Sequence, residues 1–403
     1  DAREIDAQIE KTLSAINTPT NQEFAAHFTA VANQADTALA ALSQMVLQPL
    51  APHIGARTQL IVSPDGELNR VPFAALQTAD GRYLIEHLNL AYVASGRDLL
   101  QDQGRAPATV DLLLVANPAF NSRDGLGGTT LAAAVERAGD FDNGFAPLLG
   151  TAQEAEAIPL LLESDHKPLQ QAQATESAVR AVRSPKILHL ATHGFFLKNK
   201  EIFFPDTLST SDSSLSAPLE MNPMVRSGLA LAGANHAKEI TNGDDGLLTA
   251  LEVTSMDLRG TDLVVLSACE TGLGKVQVGE GVYGLRRAFT LAGAKNLVMS
   301  LWKANDLMTL YQMKEFYRAY RNGASAAAAL REAQLRSIAS LRAQTRASYG
   351  EALAPVKLWA TFLVQQTTAE DTERISGESF AWWWIVALLL IGVTGGLGVW
   401  WKR

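Results

Sequence analysis

The chain has 403 residues, of which 47% are hydrophobic and 19% are charged, and its net charge is −8. This length suits one large domain or two ordinary ones. The acidic balance gives no indication of the basic surface with which proteins bind nucleic acid, and no nucleic-acid partner is expected. A single cysteine excludes an internal disulfide framework and a multi-cysteine metal site. Its thiol is therefore either a small core group or a reactive group.

Residues 1–50 are predicted to form an N-terminal helical segment. Apolar side chains recur at helical spacing through residues 22–50, and Pro49 and Pro52 end the pattern. From residue 51 onward the pattern changes to short apolar runs that are bounded by turn residues.

Most of these runs are apolar throughout rather than alternating, which is typical of strands buried on both faces of a sheet. The predicted strands lie at residues 59–63, 111–117, 187–192, 227–233, 263–269 and 296–301. Helical patterns fall between them. The sequence therefore predicts an α/β fold with a mostly parallel central sheet and helices on both faces.

Several of the predicted helices have recognisable start signals. Thr151, with Glu154 three residues later, predicts a capping box at the start of a helix over residues 151–164. Thr175 is predicted to cap the next helix. The other predicted helices span residues 175–183 and 281–293, followed by a pair that is divided at residues 322–323.

Two segments rich in Gly, Ser, Asp and Pro, residues 121–147 and 197–226, are predicted to be surface loops. The second segment begins just after a histidine, His193. This position makes it a candidate substrate-binding loop or lid.

The end of the chain predicts a membrane anchor. A polar acidic linker over residues 367–379 precedes residues 380–401, an uncharged run of 22 residues. As a helix this run is about 33 Å long, which is enough to cross the hydrocarbon core of a bilayer. Tryptophans stand at both ends of the run, as in the aromatic belts of membrane helices. A buried C-terminal core helix is the alternative, but tryptophan belts and the terminal Lys402-Arg403 pair have no role in a core.

Two chemically reactive residue types follow two of the predicted strands. His193 comes at the end of the strand around 187–192, and Cys269 ends the strand over 263–269. Catalytic groups gather outside the carboxyl ends of strands in parallel sheets. If the two strands are neighbours, the imidazole can draw the proton from the thiol, as nucleophilic catalysis requires. The backbone N–H groups of Gly194 and Cys269 could then bind an oxyanion.

Other interpretations compete with this one. A lone cysteine at the end of a buried strand is often a small core hydrophobe. His189 and His193 are four residues apart, a spacing that could suggest two ligands of a metal site. The glutamate of the zinc-protease helix motif is missing, however, and the segment is predicted to be a strand. His189 is therefore expected to be a core histidine with hydrogen-bond partners. The run Gly272-Leu273-Gly274-Lys275 lacks the remaining residues of a phosphate-binding loop.

The segments HLATHG, VVLSACETGLG and GEGVYGLRRAFTLAGAKNLVMSLWKAND resemble the CHAT domain, a caspase-like peptidase family often found behind tetratricopeptide repeats. The resemblance covers roughly residues 50–366. It implies a caspase-like sandwich over residues 51–366, cysteine endopeptidase activity on a protein or peptide substrate, and no cofactor. It also implies that His193 and Cys269 are the catalytic dyad and that Gly194 is an oxyanion donor.

The resemblance also implies roles for two further residues and a cellular function. Glu270 belongs to the family pattern and is assigned to the substrate-binding set, with holding the loop by hydrogen bonds as its simpler role. The segment around Asp306 resembles the LW-x-x-x-D segment of separases, which implies recognition of a basic residue before the scissile bond. The alternative is that Asp306 caps the helix from Leu307 to Arg321. Family members act in regulated proteolysis, including bacterial defence and programmed cell death, with upstream repeats as sensors.

The sequence leaves two alternative functions open, and also the side of the membrane on which the catalytic domain lies. The chain could be a catalytically silent scaffold that binds partners through the same groove. It could also be another thiol hydrolase or an acyltransferase, although the G-x-C-x-G elbow favoured by such enzymes is missing. The basic Lys402-Arg403 end favours a cytoplasmic C-terminus and an outward catalytic domain. The cytoplasmic location of most of the family favours the opposite side, and a resemblance to bacterial sorting signals would allow the tail to be processed.

Overall fold

The computed structural model describes most of the first 367 residues, which lie within one compact unit of residues 1–369. The described ranges are residues 2–19, 25–96, 98–100, 106–123, 136–137, 144–196, 202–203, 223–239, 244–267, 280–303 and 305–367.

The described helices stand before and between the strands along the chain. At the N-terminus are α1 (Ala2–Asn17), α2 (Ala25–Val46) and α3 (Ala51–Ile54). Between strands are α4 (Leu149–Leu162), α5 (Glu176–Ala181), α6 (Pro223–Arg226), α7 (Ala250–Val253) and α8 (Glu280–Ala292). Towards the C-terminal end of the unit are α9 (Asp306–Arg321), α10 (Ala326–Tyr349) and α11 (Val356–Trp359).

The strands are short, as expected for an α/β protein. They are β1 (Gln59–Val62), β2 (Asn89–Tyr92), β3 (Val110–Pro118), β4 (Glu136–Arg137), β5 (Leu169–Gln171), β6 (Pro185–Ala191), β7 (Gly194–Phe196), β8 (Ile202–Phe203), β9 (Ser227–Ala230), β10 (Leu247–Thr249), β11 (Leu263–Leu266), β12 (Asn296–Ser300) and β13 (Phe362–Gln366).

Eight strands of the described residues form the central sheet, in the order β1-β2-β13-β12-β11-β6-β3-β5. All neighbours in this sheet are parallel except β12 and β13, which are antiparallel. The strands β12, β11, β6, β3 and β5 therefore have their carboxyl ends at one edge, and β1, β2 and β13 have theirs at the opposite edge. The prediction of a mostly parallel α/β sheet is confirmed.

Both faces of this sheet are buried. In β6, Leu188 and Leu190 point into one apolar core, whereas Ile187 and Ala191 point into the other. Successive side chains of a strand lie on opposite faces, so a strand that is covered on both sides is apolar at most of its positions. This explains the continuous apolar runs in the sequence. The helices α4, α9 and α10 contribute side chains to the second core, including Ile158, Phe316 and Leu330.

The N-terminal helices belong to the first of these cores. Ile9 of α1 and Leu39 and Leu42 of α2 are fully buried in the same cluster as side chains of the central sheet. The boundary that the sequence suggests at residue 50 stays a prediction, because burial in a shared core neither requires nor excludes a separate evolutionary origin.

The start of α4 differs from the prediction. The helix begins at Leu149, its N-cap Leu148 makes no side-chain cap bond, and the Thr151 hydroxyl instead donates to the Leu148 carbonyl at 2.8 Å. The predicted Thr151–Glu154 capping box is therefore wrong, because Glu154 turns inward to buried partners. The cap at Thr175 is confirmed, since its hydroxyl accepts a hydrogen bond from the backbone N–H of Ala178.

One predicted strand lies outside the central sheet. Strand β9, from the run at 227–233, pairs antiparallel with β7 and β10 in a second sheet of the described residues, in the order β10-β9-β7. Short antiparallel pairing also links β4 and β8, which come from the two predicted surface loops. The rest of these loops lies largely outside the described residues.

The predicted membrane helix over residues 380–401 lies outside the described residues, as does nearly all of the linker at 367–379. Within the described ranges, no helix has the length and apolar character needed to cross a bilayer.

Candidate active site

The candidate site lies where β6 and β11 end. These strands are parallel neighbours, and Leu190 of β6 stands opposite Leu266 of β11. Because the register is parallel, both strands end at the same edge of the sheet. Thr192 and His193 continue from β6, and Ser267 continues from β11. The neighbouring strands required by the sequence-based hypothesis are therefore present.

The His193 ring is half-buried in an aromatic cluster. Its centroid lies 5.3 Å from the Phe120 ring and 5.6 Å from the Phe145 ring, and these two phenylalanine rings are 5.8 Å apart. Both phenylalanines are buried in a small core of their own. The three rings thus contact one another in a triangle, which restricts rotation of the imidazole.

The imidazole of His193 is also held by a backbone group. Its Nε2 atom lies 2.7 Å from the carbonyl oxygen of Ala146. A carbonyl can only accept a hydrogen bond, so Nε2 must carry the proton. In the neutral ring the proton-accepting nitrogen is then Nδ1. Sequence reasoning missed Ala146, because any residue offers a carbonyl and no side-chain type indicates this contact.

Gly194 follows the histidine as the first residue of β7. The backbone N–H of Ala230 donates to the His193 carbonyl at 2.9 Å, and Gly194 stands opposite Leu229. In an antiparallel ladder this arrangement makes Gly194 and Leu229 a pair without mutual hydrogen bonds. The Gly194 N–H is therefore directed away from β9.

A buried polar network lies beneath the ends of β6 and β11. His189 Nε2 contacts Glu154 Oε2 at 3.1 Å, and His189 Nδ1 contacts the Tyr317 hydroxyl at 2.8 Å. The Ser267 hydroxyl donates to the other carboxylate oxygen of Glu154 at 3.0 Å. Burial, with the negative charge of Glu154 as a second cause, raises the pKa of Tyr317 well above its ordinary value, so the phenol stays protonated.

This network confirms that His189 is a core histidine with hydrogen-bond partners. It ties α4 and α9 to the two strands that end at the candidate site. Among the described residues, no group of three or more His, Cys, Asp or Glu side chains is arranged to hold a metal ion.

The predicted nucleophile Cys269 and its neighbour Glu270 lie outside the described residues. The described residues end at Ser267, two positions before Cys269, and begin again at Glu280, the first residue of α8.

Asp306 is exposed at the first turn of α9, beyond the carboxyl end of β12. The helix is capped by Asn305, whose side chain accepts a hydrogen bond from the Met308 N–H at 3.2 Å. The alternative in which Asp306 caps this helix is therefore wrong. Asp306 packs against the start of α4, where a Cβ atom on Gly150 would come within 2.9 Å of the Asp306 Cβ.

A separate acidic cluster surrounds the start of α5. Glu176 is buried near Glu252, Asp245 and Asp244, and Arg180 contacts it at 3.0 Å. Burial, followed by the charges of the other three carboxylates, raises the pKa of Glu176 to about 9. The positive charge of Arg180 favours the ionised carboxylate and so acts to lower the pKa of Glu176. Because the Arg180 side chain is partly exposed to solvent, this effect is weaker than the effect of burial among carboxylates.

The protein is therefore an α/β protein in which the ring of His193, fixed by its contacts, lies where the carboxyl ends of the parallel strands meet. The chain matches the CHAT domain over residues 36–382, which is most of its length, and it belongs to the CHAT domain family. The resemblance that the sequence motifs suggest is confirmed.

Two curated relatives match a large part of the chain. It is 28% identical over 291 residues to Tetratricopeptide repeat protein 28 of Mus musculus, and equally to the Homo sapiens protein of that name. The alignment covers 70% of this chain but 11% of each relative, so the chain spans about a tenth of their length.

Among solved structures, the chain is similar to the crystal structure of the Arg specific cysteine proteinase gingipain R (RGPB). The TM-score is 0.41 and the identity 10%, with 90% of this chain and 72% of that chain covered. A TM-score of this size is too low to support an inference about fold or function.

Proposed function

We propose that the chain is a caspase-like cysteine endopeptidase in which His193 and Cys269 form the catalytic dyad. The observation that carries this proposal is the pairing of Leu190 with Leu266. His193 comes three positions after Leu190 along the chain, and Cys269 comes three positions after Leu266. Two residues of extended chain span at most about 7 Å, so the proposal requires only the two residues after Ser267 to bring the thiol to the edge where His193 stands.

The contacts of His193 suit it for the role of general base. Because the Nε2–H group donates a hydrogen bond to the Ala146 carbonyl, Nδ1 is the nitrogen that takes the thiol proton of Cys269. The thiolate then attacks the scissile carbonyl carbon, and the carbonyl π electrons move onto its oxygen. Collapse of this intermediate expels the amine, which receives the proton from His193, and water hydrolyses the acyl-enzyme.

The backbone supports stabilisation of the oxyanion. The Gly194 N–H is directed away from β9, so it can donate to an oxygen at this edge of the sheet. With the N–H of Cys269 it would form a two-donor oxyanion hole. No cofactor is needed for this chemistry.

Asp306 is proposed to contact a basic residue on the amino side of the scissile bond. Its carboxylate lies beyond the end of β12, at the same edge as the end of β6. A carboxylate and a guanidinium form a bidentate pair. Because Asp306 is exposed, the expected discrimination is moderate rather than that of a fully desolvated pocket. Glu270 is proposed to contribute to the substrate-binding loop.

We also propose the cellular setting. The CHAT family and the repeat-containing relatives support regulated proteolysis under the control of a tetratricopeptide repeat region. The uncharged run at 380–401 supports a single C-terminal membrane anchor.

Thiol labelling separates this enzyme from a silent scaffold. The chain has one cysteine, so an iodoacetamide probe reports Cys269 alone. We expect fast labelling of native protein near neutral pH, slow labelling of denatured protein, and slow labelling of His193→Ala, because the imidazole stabilises the thiolate. His53→Ala, at an exposed position in α3, is the matched control and should label like the wild type. Equal rates for native, denatured and His193→Ala protein would favour the scaffold.

A further inference from the structure

Asn235 makes an unusual set of contacts near His193. It lies in a short helical turn, Ala234–Glu239, which follows β9. Its Oδ1 accepts the Phe145 N–H at 2.6 Å, and its Nδ2 donates to the Phe145 carbonyl at 3.1 Å. One side-chain amide thus pairs with both backbone groups of a single residue, as an antiparallel strand would.

The same residue holds a second segment. Its Nδ2 also donates to Asn121 Oδ1 at 2.7 Å, and its backbone N–H donates to the Phe120 carbonyl at 3.0 Å. Asn235 therefore links the segment at 120–121 to the segment at 144–145, which are far apart in the sequence. Only an amide side chain supplies the required acceptor and two donors together.

Gly144 permits this close approach. Its φ angle is +66°, and a Cβ atom there would lie 2.9 Å from Asn235 Oδ1. A side chain at position 144 would be strained by the backbone angle and would push against the amide.

The two linked segments are those that hold His193. Phe120 and Phe145 supply the rings beside the imidazole. Ala146, the next residue after Phe145, supplies the carbonyl that accepts a hydrogen bond from the imidazole Nε2–H. We propose that Asn235 is a positioning residue for the catalytic histidine, which it orients through the Phe145 backbone and the Ala146 carbonyl. This inference rests on the proposed role of His193 in catalysis.

The physical consequence follows from the precision that catalysis demands. A displacement of about 1 Å in a positioning group can cost about 100-fold in rate. Without the Asn235 amide, the Ala146 carbonyl is no longer fixed opposite Nε2. The imidazole then populates both tautomers, and the imidazolium loses a hydrogen bond that favours the thiolate–imidazolium pair.

The test uses Asn235→Ala and two readouts. In cleavage of the best peptide from a substrate library, we expect kcat to fall about 10- to 100-fold, with KM changed less than about threefold. In ¹⁵N spectra of histidine-labelled protein, with the His193 signals assigned by comparison with His193→Gln, we expect the Nε2-protonated tautomer in the wild type and a tautomer mixture in the variant. Asn33→Ala, at an exposed position of α2, is the control and should match the wild type in both readouts.

The outcomes are distinguishable. Wild-type kcat and wild-type His193 signals in Asn235→Ala would overturn the positioning role. If Cys269→Ala still cleaves peptide, the proposed dyad fails, and the His193 spectrum still decides whether Asn235 orients the ring. Should Asn235→Ala not fold, Asn121→Ala removes one of the three side-chain bonds, and a smaller change in the same direction supports the role, whereas an unchanged spectrum contradicts it.

Discussion

At the scale of single residues, His193 shows how far chemistry can be foreseen from sequence. Its position after a strand was predictable, because apolar runs and turn residues are visible in the sequence. The contacts that hold it were not, since they come from the Ala146 carbonyl and from two phenylalanines in distant segments. Backbone acceptors carry no sequence signal.

For Glu154 the sequence pattern was clear, but the predicted role was wrong. A glutamate three residues after a threonine has the spacing of a capping box, but this carboxylate turns inward to His189 and Ser267. The hydrogen bond to buried His189 stabilises the fold more than a helix cap would, because burying an imidazole without a partner costs free energy.

The acidic cluster around Glu176 predicts a pH dependence of stability. The folded-state pKa of about 9 lies above the ordinary value of 4.5, so the folded protein binds more protons between these values than the unfolded chain does. The free energy of unfolding should therefore decrease as pH rises from about 5 to about 9, by at most about 1.4 kcal/mol per pH unit from this group. Glu176→Gln should remove that part of the decrease, which urea denaturation at several pH values would measure.

Glu351→Gln is the control for this prediction, because Glu351 is exposed. Its stability should follow the wild-type pH profile. Parallel profiles for wild type and Glu176→Gln would show that Glu176 is ionised in the folded protein near neutral pH.

Substrate preference tests Asp306. Asp306→Asn keeps the Asn305 cap and the contact with Gly150 but removes the charge. We expect kcat/KM for peptides with Arg before the scissile bond to fall about tenfold, which corresponds to about 1.4 kcal/mol, while peptides with Leu or Met change little. Lys314→Gln, on the same helix, is a control for a change of surface charge. Undiminished cleavage after Arg, or a wild-type preference for Leu or Met, would refute the assignment.

At the scale of elements, the strands buried on both faces were the easiest to predict. Strands β3, β6 and β12 coincide closely with apolar runs in the sequence. Strands β2, β5 and β13 of the central sheet were missed. Strand β5 has only three residues, and β13 ends in the buried residues Gln365 and Gln366, which resemble surface residues. The antiparallel direction of β13 depends on how α11 and the chain before it reverse, which apolar patterning does not indicate.

Helix α2 tests whether the N-terminal helices are integral to the fold. Leu42 is fully buried in the first core, whereas Leu50 is 47% exposed. Leu42→Ala should lower the free energy of unfolding by about 2–5 kcal/mol, because it leaves a cavity. Leu50→Ala should change it by less than about 0.5 kcal/mol. Equal small effects in thermal or urea denaturation would mean that α2 is only loosely attached.

At the scale of the whole molecule, the family could be recognised from sequence because several of its motifs follow one another along the chain in the family's order. The match over residues 36–382 covers the sheet and the helices on both of its faces. The cellular context could not be derived from the fold, since the same α/β sheet serves many functions.

The proposed anchor predicts a difference in solubility. Deletion from residue 379 onward should yield protein that stays in solution without detergent and keeps the thiol reactivity of Cys269, because the uncharged run is not part of the unit of residues 1–369. The full chain should require detergent. Identical sedimentation of both forms from detergent-free buffer would contradict the anchor.

The central claim is that His193 and Cys269 act as one catalytic unit, and peptide cleavage by the dyad variants tests it most directly. Cys269→Ala and His193→Ala should each lower kcat/KM by at least about 1000-fold, with far-UV circular dichroism and thermal stability close to those of the wild type. The double variant should be no worse than either single one, because the two groups act together. If Cys269→Ala kept a tenth of the wild-type activity, or the two losses were additive, the proposed mechanism would be wrong.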